Sequence, residues 1–86
     1  MKRRQDVDPL LHILKSYTLT LQGPERGQVD SARFNLYVAF ESEDAEKARQ
    51  WARALRGALL VAPESEQRGL ALDAVGEIEQ AIEVPS

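Results

Sequence analysis

Along this chain the alternation of apolar and polar residues gives way, at Ser42, to helical spacing, and that change of period constrains the fold more than any motif. Leu11, Ile13, Tyr17, Leu19 and Leu21 fall on one face of an extended segment, with Lys15 as the exception, and His12, Ser16, Thr18 and Thr20 on the other. A second run, Arg33 to Glu41, alternates cleanly: Phe34, Leu36, Val38 and Phe40 point one way, Arg33, Asn35, Tyr37, Ala39 and Glu41 the other. Gly23, Pro24 and Gly27 punctuate the link between them. The pattern predicts an antiparallel hairpin.

After the hairpin, Ser42 is placed to cap a helix and Glu43 and Asp44 lie where its dipole favours anions. Ala45, Ala48, Trp51, Ala52 and Leu55 make an apolar stripe over a predicted helix from Glu43 to about Arg56, ended by Gly57. Trp51 is expected to roof Phe34 and Phe40 as the largest single burial, so truncating it to alanine would cost about 3 to 5 kcal/mol. Ala58 to Ala62 reads as a short buried strand stopped by Pro63. Leu70, Leu72, Ala74, Ile78, Ile82 and Val84 fit a strand face, whereas Leu72, Val75, Ile78 and Ile82 fit a helical stripe; the strand is the reading adopted. The expected fold is α+β: a two-layer antiparallel sheet, hairpin plus short C-terminal strands, with one main helix on one face, loosely ferredoxin-like. Residues 1–9 read as a flexible N-terminal tail ahead of a single domain over 10–86.

With 86 residues there is room for one core, burying about 60 to 65% of the unfolded surface. No apolar run approaches the roughly 20 residues of a membrane span. Lys2, Arg3 and Arg4 precede an apolar stretch too short for a secretory leader, so the cytoplasm is the expected compartment. Zero cysteines exclude disulfide scaffolds, thiolate catalysis and cysteine-held zinc. A net charge of −3 argues against a generic nucleic-acid binder. The charge is uneven: from Glu64 onward Glu66, Asp73, Glu77, Glu79 and Glu83 face Arg68 alone, so the acidic C-terminal segment is a candidate surface for a partner.

No catalytic constellation is visible. His12 is the only histidine and has no partners at a fixed spacing; the serines lack nucleophile-elbow spacing, and the glycines around Pro24 lack the strand-to-helix context of a phosphate loop. Glu77, Glu79 and Glu83 lack the spacing of a calcium loop, so neither a metal nor a cofactor is expected. The run Arg33 to Phe40, followed by Glu41 to Ala48, resembles the third strand and second helix of an RNA-recognition motif. That resemblance implies Tyr37 stacking on a base and Arg33 contacting phosphate or base. Phe34 and Leu36 stand at its small positions, and the residues before Arg33 leave no room for its preceding strand and helix, so the likeness is read as local geometry shared with ferredoxin-like domains.

One helix cannot cover both sides of a sheet, so Leu14, Arg33 and Tyr37 are expected on an open face, and with Glu77, Glu79 and Glu83 they are the candidate partner-binding residues. The functional expectation is a small non-enzymatic interaction or regulatory module that binds a protein, or a second copy of itself. The alternatives are a single-stranded nucleic-acid binder using Arg33, Tyr37 and the basic tail, and a small dimeric α+β barrel enzyme with His12 or a tyrosine in its pocket.

Overall fold

Positions 7, 11, 14 and 18 are separated by four, three and four residues, the spacing that keeps side chains on one side of a helix. In the computed structural model, which describes residues 1–85, Val7, Leu11, Leu14 and Thr18 are all buried on one stripe of α1 (Arg4–Thr18). The same arithmetic buries Val29, Ala32, Leu36 and Phe40 in α2 (Gly23–Glu41) and Ala48, Ala52, Leu55 and Leu59 in α3 (Ala45–Val61). In α4 (Glu66–Glu83) it buries Ala71, Ala74, Val75, Ile78 and Ile82.

Links of three or four residues join these helices, and links that short place consecutive helices antiparallel and side by side. Each helix has two neighbours: α1 lies between α2 and α4, and α3 lies between the same two on the far side. The result is an up-down-up-down four-helix bundle of 36 × 20 × 18 Å. At its upper end α1 and α3 begin and α2 and α4 finish.

The helix ends have local chemical causes. Asp44 Oδ1 accepts the Lys47 amide at 3.0 Å and caps α3; Ser65 Oγ accepts the Arg68 amide at 3.1 Å and caps α4. Glu43 takes a left-handed φ of 54° to stop α2, a conformation that costs a non-glycine residue about 1 kcal/mol or more. The start of the chain is tied down by the Lys2 amide, which donates to the Ala81 carbonyl of α4 at 2.9 Å.

The α+β expectation is overturned. No strand occurs among the described residues, so there is no hairpin, no open sheet and no ferredoxin-like layer. Both alternating runs fall largely within helices, and the periodicity that decides is the one linking buried positions: Ile13, Leu19, Phe34 and Val38, four of the nine residues of the two expected strand faces, are exposed. Ala58 to Val61 is the last turn of α3, which runs through Gly57, and residues 70–83 lie in α4, where Val75, Ile78 and Ile82 of the helical alternative are buried. Asp44, two residues beyond Ser42, is the cap. Residues 4–9, expected as tail, form the first turns of α1 and bury Val7; the expected domain end at Ser86 lies outside the described residues. Phe40 is core, but Phe34 is 53% exposed, and Trp51 is half-buried between α2 and α3 rather than enclosed, so its truncation costs less than full burial implies.

Pro9 inside α1 is a local conflict with the fold. It removes the hydrogen bond to the Gln5 carbonyl, which water satisfies because both residues are exposed, and the burial of Val7 and Leu11 on either side holds the helix through it. Pro9→Ala should therefore raise stability by about 1 to 2 kcal/mol in urea unfolding, helix content unchanged.

Candidate docking surface

The residues chosen from sequence do not converge. Leu14 is fully buried in the core. Arg33 is paired with Asp30 of its own helix at 2.9 Å. Tyr37 is half-buried, its ring stacked on Phe34 with centroids 6.3 Å apart and the Arg4 guanidinium 5.8 Å above it. Arg4 itself bridges Asp8 and, at 2.5 Å, Glu41, so the aromatic pair closes the α1/α2 seam. Of the acidic triplet, Glu79 meets Arg56 at 2.5 Å and Glu83 meets Arg49 at 2.6 Å, both across the α3/α4 seam; Glu77 is exposed, with no ion pair among the described residues. The hydrogen bond from Arg49, reinforced by its charge, holds the Glu83 carboxyl below its ordinary value of 4.5. That ion pair therefore supports the fold above the ordinary value and is lost as pH falls through the depressed one. Exposed pairs of this kind contribute little each, so they orient α3 on α4 more than they stabilise it. His12 is exposed on α1, and among the described residues no three His, Cys, Asp or Glu side chains gather to hold a metal ion.

The outer face of α2 and α3 stands apart. A shallow, open depression of about 690 Å³ lies between the lower halves of the two helices, lined by Gly27, Ser31, Ala54, Gly57, Trp51 and Val61. On the other side of Trp51 a second hollow of about 420 Å³ runs up past Asn35, Val38 and Gln50 to Asp44 and Lys47. The lower hollow has no charged residue in its lining, and the upper has one of each sign at its end. In a chain that is 29% charged, this furrow is a long uncharged strip. Large apolar groups stand beside it: Val61 is 72% exposed, and Phe34 and Val38 sit one turn apart on the outward side of α2.

The glycines in the furrow face open space. A Cβ placed on Gly27 or Gly57 would meet nothing within 4 Å. Gly76 differs, since it lies beneath the Arg56 guanidinium, and Gly69, equally open, falls in the first turn of α4. Glycine inside a helix costs roughly 0.5 to 1 kcal/mol relative to alanine, so Gly27 and Gly57 weaken α2 and α3 with no packing return in the monomer. Sequence reading passed over Gly27, Ser31, Ala54, Gly57 and Val61, taking Gly27 for a turn and Gly57 for a helix stop. The available signal was mid-helix glycine flanked by uncharged residues on one side of the helix.

Elsewhere, one polar group stands out. The Tyr17 hydroxyl is buried with no hydrogen-bond partner among the described residues, and burial raises its pKa against the opposing pull of Arg68. Arg68 donates instead to the carbonyls of Ala62 at 3.1 Å and Leu60 at 3.5 Å, closing the lower end of the bundle. Removing an unsatisfied hydroxyl relieves a desolvation cost, so Tyr17→Phe should leave urea stability unchanged or raise it by about 1 kcal/mol; a clear loss would mean that the hydroxyl is bonded in solution. Compared with protein-family models, curated proteins and solved structures, the chain matches none.

Proposed function

We propose that this chain is a small non-enzymatic interaction module of the cytoplasm that docks a protein surface through the outer furrow of α2 and α3. The reading rests on one observation: a strip that is uncharged along most of its length and lined by Val38, Trp51 and Val61, in which a Cβ on either Gly27 or Gly57 would meet nothing. A contiguous exposed apolar surface rimmed by polar residues is a usual mark of a protein contact. The acidic residues of α4 support this reading less, because Glu79 and Glu83 are already occupied by arginines of α3. Binding of single-stranded nucleic acid finds weaker support still: the arginine and tyrosine it requires are held by Asp30 and Phe34, and no sheet presents them.

The test is photo-crosslinking in the native host. Benzoylphenylalanine at Gln50, exposed beside the furrow, should give discrete adducts, whereas the same group at Gln80 on α4 should give few. Equal labelling from both positions, or none from Gln50, would remove the proposal.

A further inference from the structure

We infer that the turn between α2 and α3 is a strained hinge at which two copies of this chain exchange halves, the α1–α2 hairpin of each packing on the α3–α4 hairpin of the other.

The strain sits at one residue. Helix α2 ends in a Schellman turn: the Glu43 amide donates to the Phe40 carbonyl at 3.1 Å and the Asp44 amide to the Ala39 carbonyl at 3.0 Å. The residue at the centre of such a turn is left-handed, a conformation that glycine takes at no steric cost, and here it is Glu43, at φ 54°. No other non-glycine residue among those described has a positive φ. At the end of the α1–α2 link the positive φ falls on Gly23, and the α3–α4 link over 62–65 has none. The middle link of the chain therefore holds strain that the outer two lack.

The chemistry of the two halves agrees. Among the described residues every ion pair and every side-chain hydrogen bond stays within one hairpin or the other. Arg4–Glu41 joins α1 to α2, and Arg49–Glu83 and Arg56–Glu79 join α3 to α4. Away from the turn, the one backbone hydrogen bond between the halves is that of the Lys2 amide to the Ala81 carbonyl. Each half is thus a unit fixed by directional bonds, and the halves meet through apolar burial across the α2/α3 and α1/α4 seams.

Those seams are the same whether the complementary half belongs to the same chain or to a second copy, so the two forms differ in the link and in the cost of association. Release of Glu43 from the left-handed region favours the open link by about tenfold per copy, about a hundredfold for the pair. Set against an effective concentration of about 1 mM for packing within one chain, that places the exchanged dimer at about 10 µM and above.

The full chain refolded from urea at about 1 mM should yield a fraction of twice 9.6 kDa in size exclusion, absent after refolding at about 1 µM. That fraction should persist on dilution, because return to the monomer requires both pairs of hairpins to part. Glu43→Gly should remove it and raise the thermal midpoint by several degrees, whereas Glu43→Val, β-branched and least tolerant of a left-handed backbone, should enlarge it. The chain has no cysteine, so Asn35→Cys with Gln50→Cys, both lining the upper hollow, places one thiol on each side of the α2/α3 seam. A short bismaleimide should then give a covalent dimer on denaturing gels from the large fraction and an internally linked monomer from the small one. A monomer after refolding at every concentration, a dimer whose linked species is monomeric, or a dimer share indifferent to Glu43→Gly would each overturn the exchange.

Discussion

Close packing of alanine between antiparallel helices governs this molecule. Among the described residues eight of the twenty-one buried apolar residues are alanines, so the helices approach closely and the interior holds few large side chains. Phe40, Leu36, Leu55, Leu59 and Ile78 fill that narrow core. Apolar residues in excess of it have nowhere to go but outward. Phe34, Val38, Val61 and Leu70 are exposed because α2, α3 and α4 each turn only one stripe inward and those stripes are already full. The surface of the protein is in this sense a consequence of its core.

Those surplus residues also explain how far the fold could be read in advance. Helix α3 was legible because its stripe of Ala48, Ala52 and Leu55 carries no competing period, and only its C-terminal turn was lost, to Gly57. Helix α2 was not legible, because Phe34 and Val38 interleave with Leu36 and Phe40 and simulate a strand face. The alanines that carry its helical stripe, Ala32 and Ala39, weigh little on any hydrophobic scale beside phenylalanine. In and just after α1 the alternation of Ile13, Leu19 and Leu21 hid the spacing of Val7, Leu11 and Leu14, and Pro9 argued against a helix that burial on either side enforces. The residues that misdirect the fold assignment are thus the ones left over for the outer face: Phe34 and Val38 belong to both accounts.

The uneven charge of the sequence has a structural resolution as well. The acids of the C-terminal third and the arginines of the preceding helix lie on adjacent helices, and Arg49–Glu83 and Arg56–Glu79 meet across one seam. Sign asymmetry along a chain suggests an external partner only until topology places the two blocks side by side. In a ring of four antiparallel helices α3 and α4 must be neighbours, so much of the asymmetry is internal. Arg4, with Asp8, Glu41 and the Tyr37 ring, does the same for α1 and α2. Both seams joined by charge lie on the flanks of the bundle, and the α2/α3 seam between them has no ion pair of its own among the described residues.

That third seam therefore depends on apolar contact alone, and each of its helices carries a glycine on the outer side. Gly27 and Gly57 oppose helix formation by an amount that matters in a domain of 86 residues, whose net stability is a small difference between large terms. Alanine at both would fit without displacing a neighbour, so no steric demand inside the monomer keeps them. Under the docking proposal, such a surface loses stability in isolation and regains it when another surface enters the furrow. The stability of the fold and the occupancy of the face are then linked quantities: whatever fills the furrow adds to the free energy of unfolding in proportion to how tightly it binds.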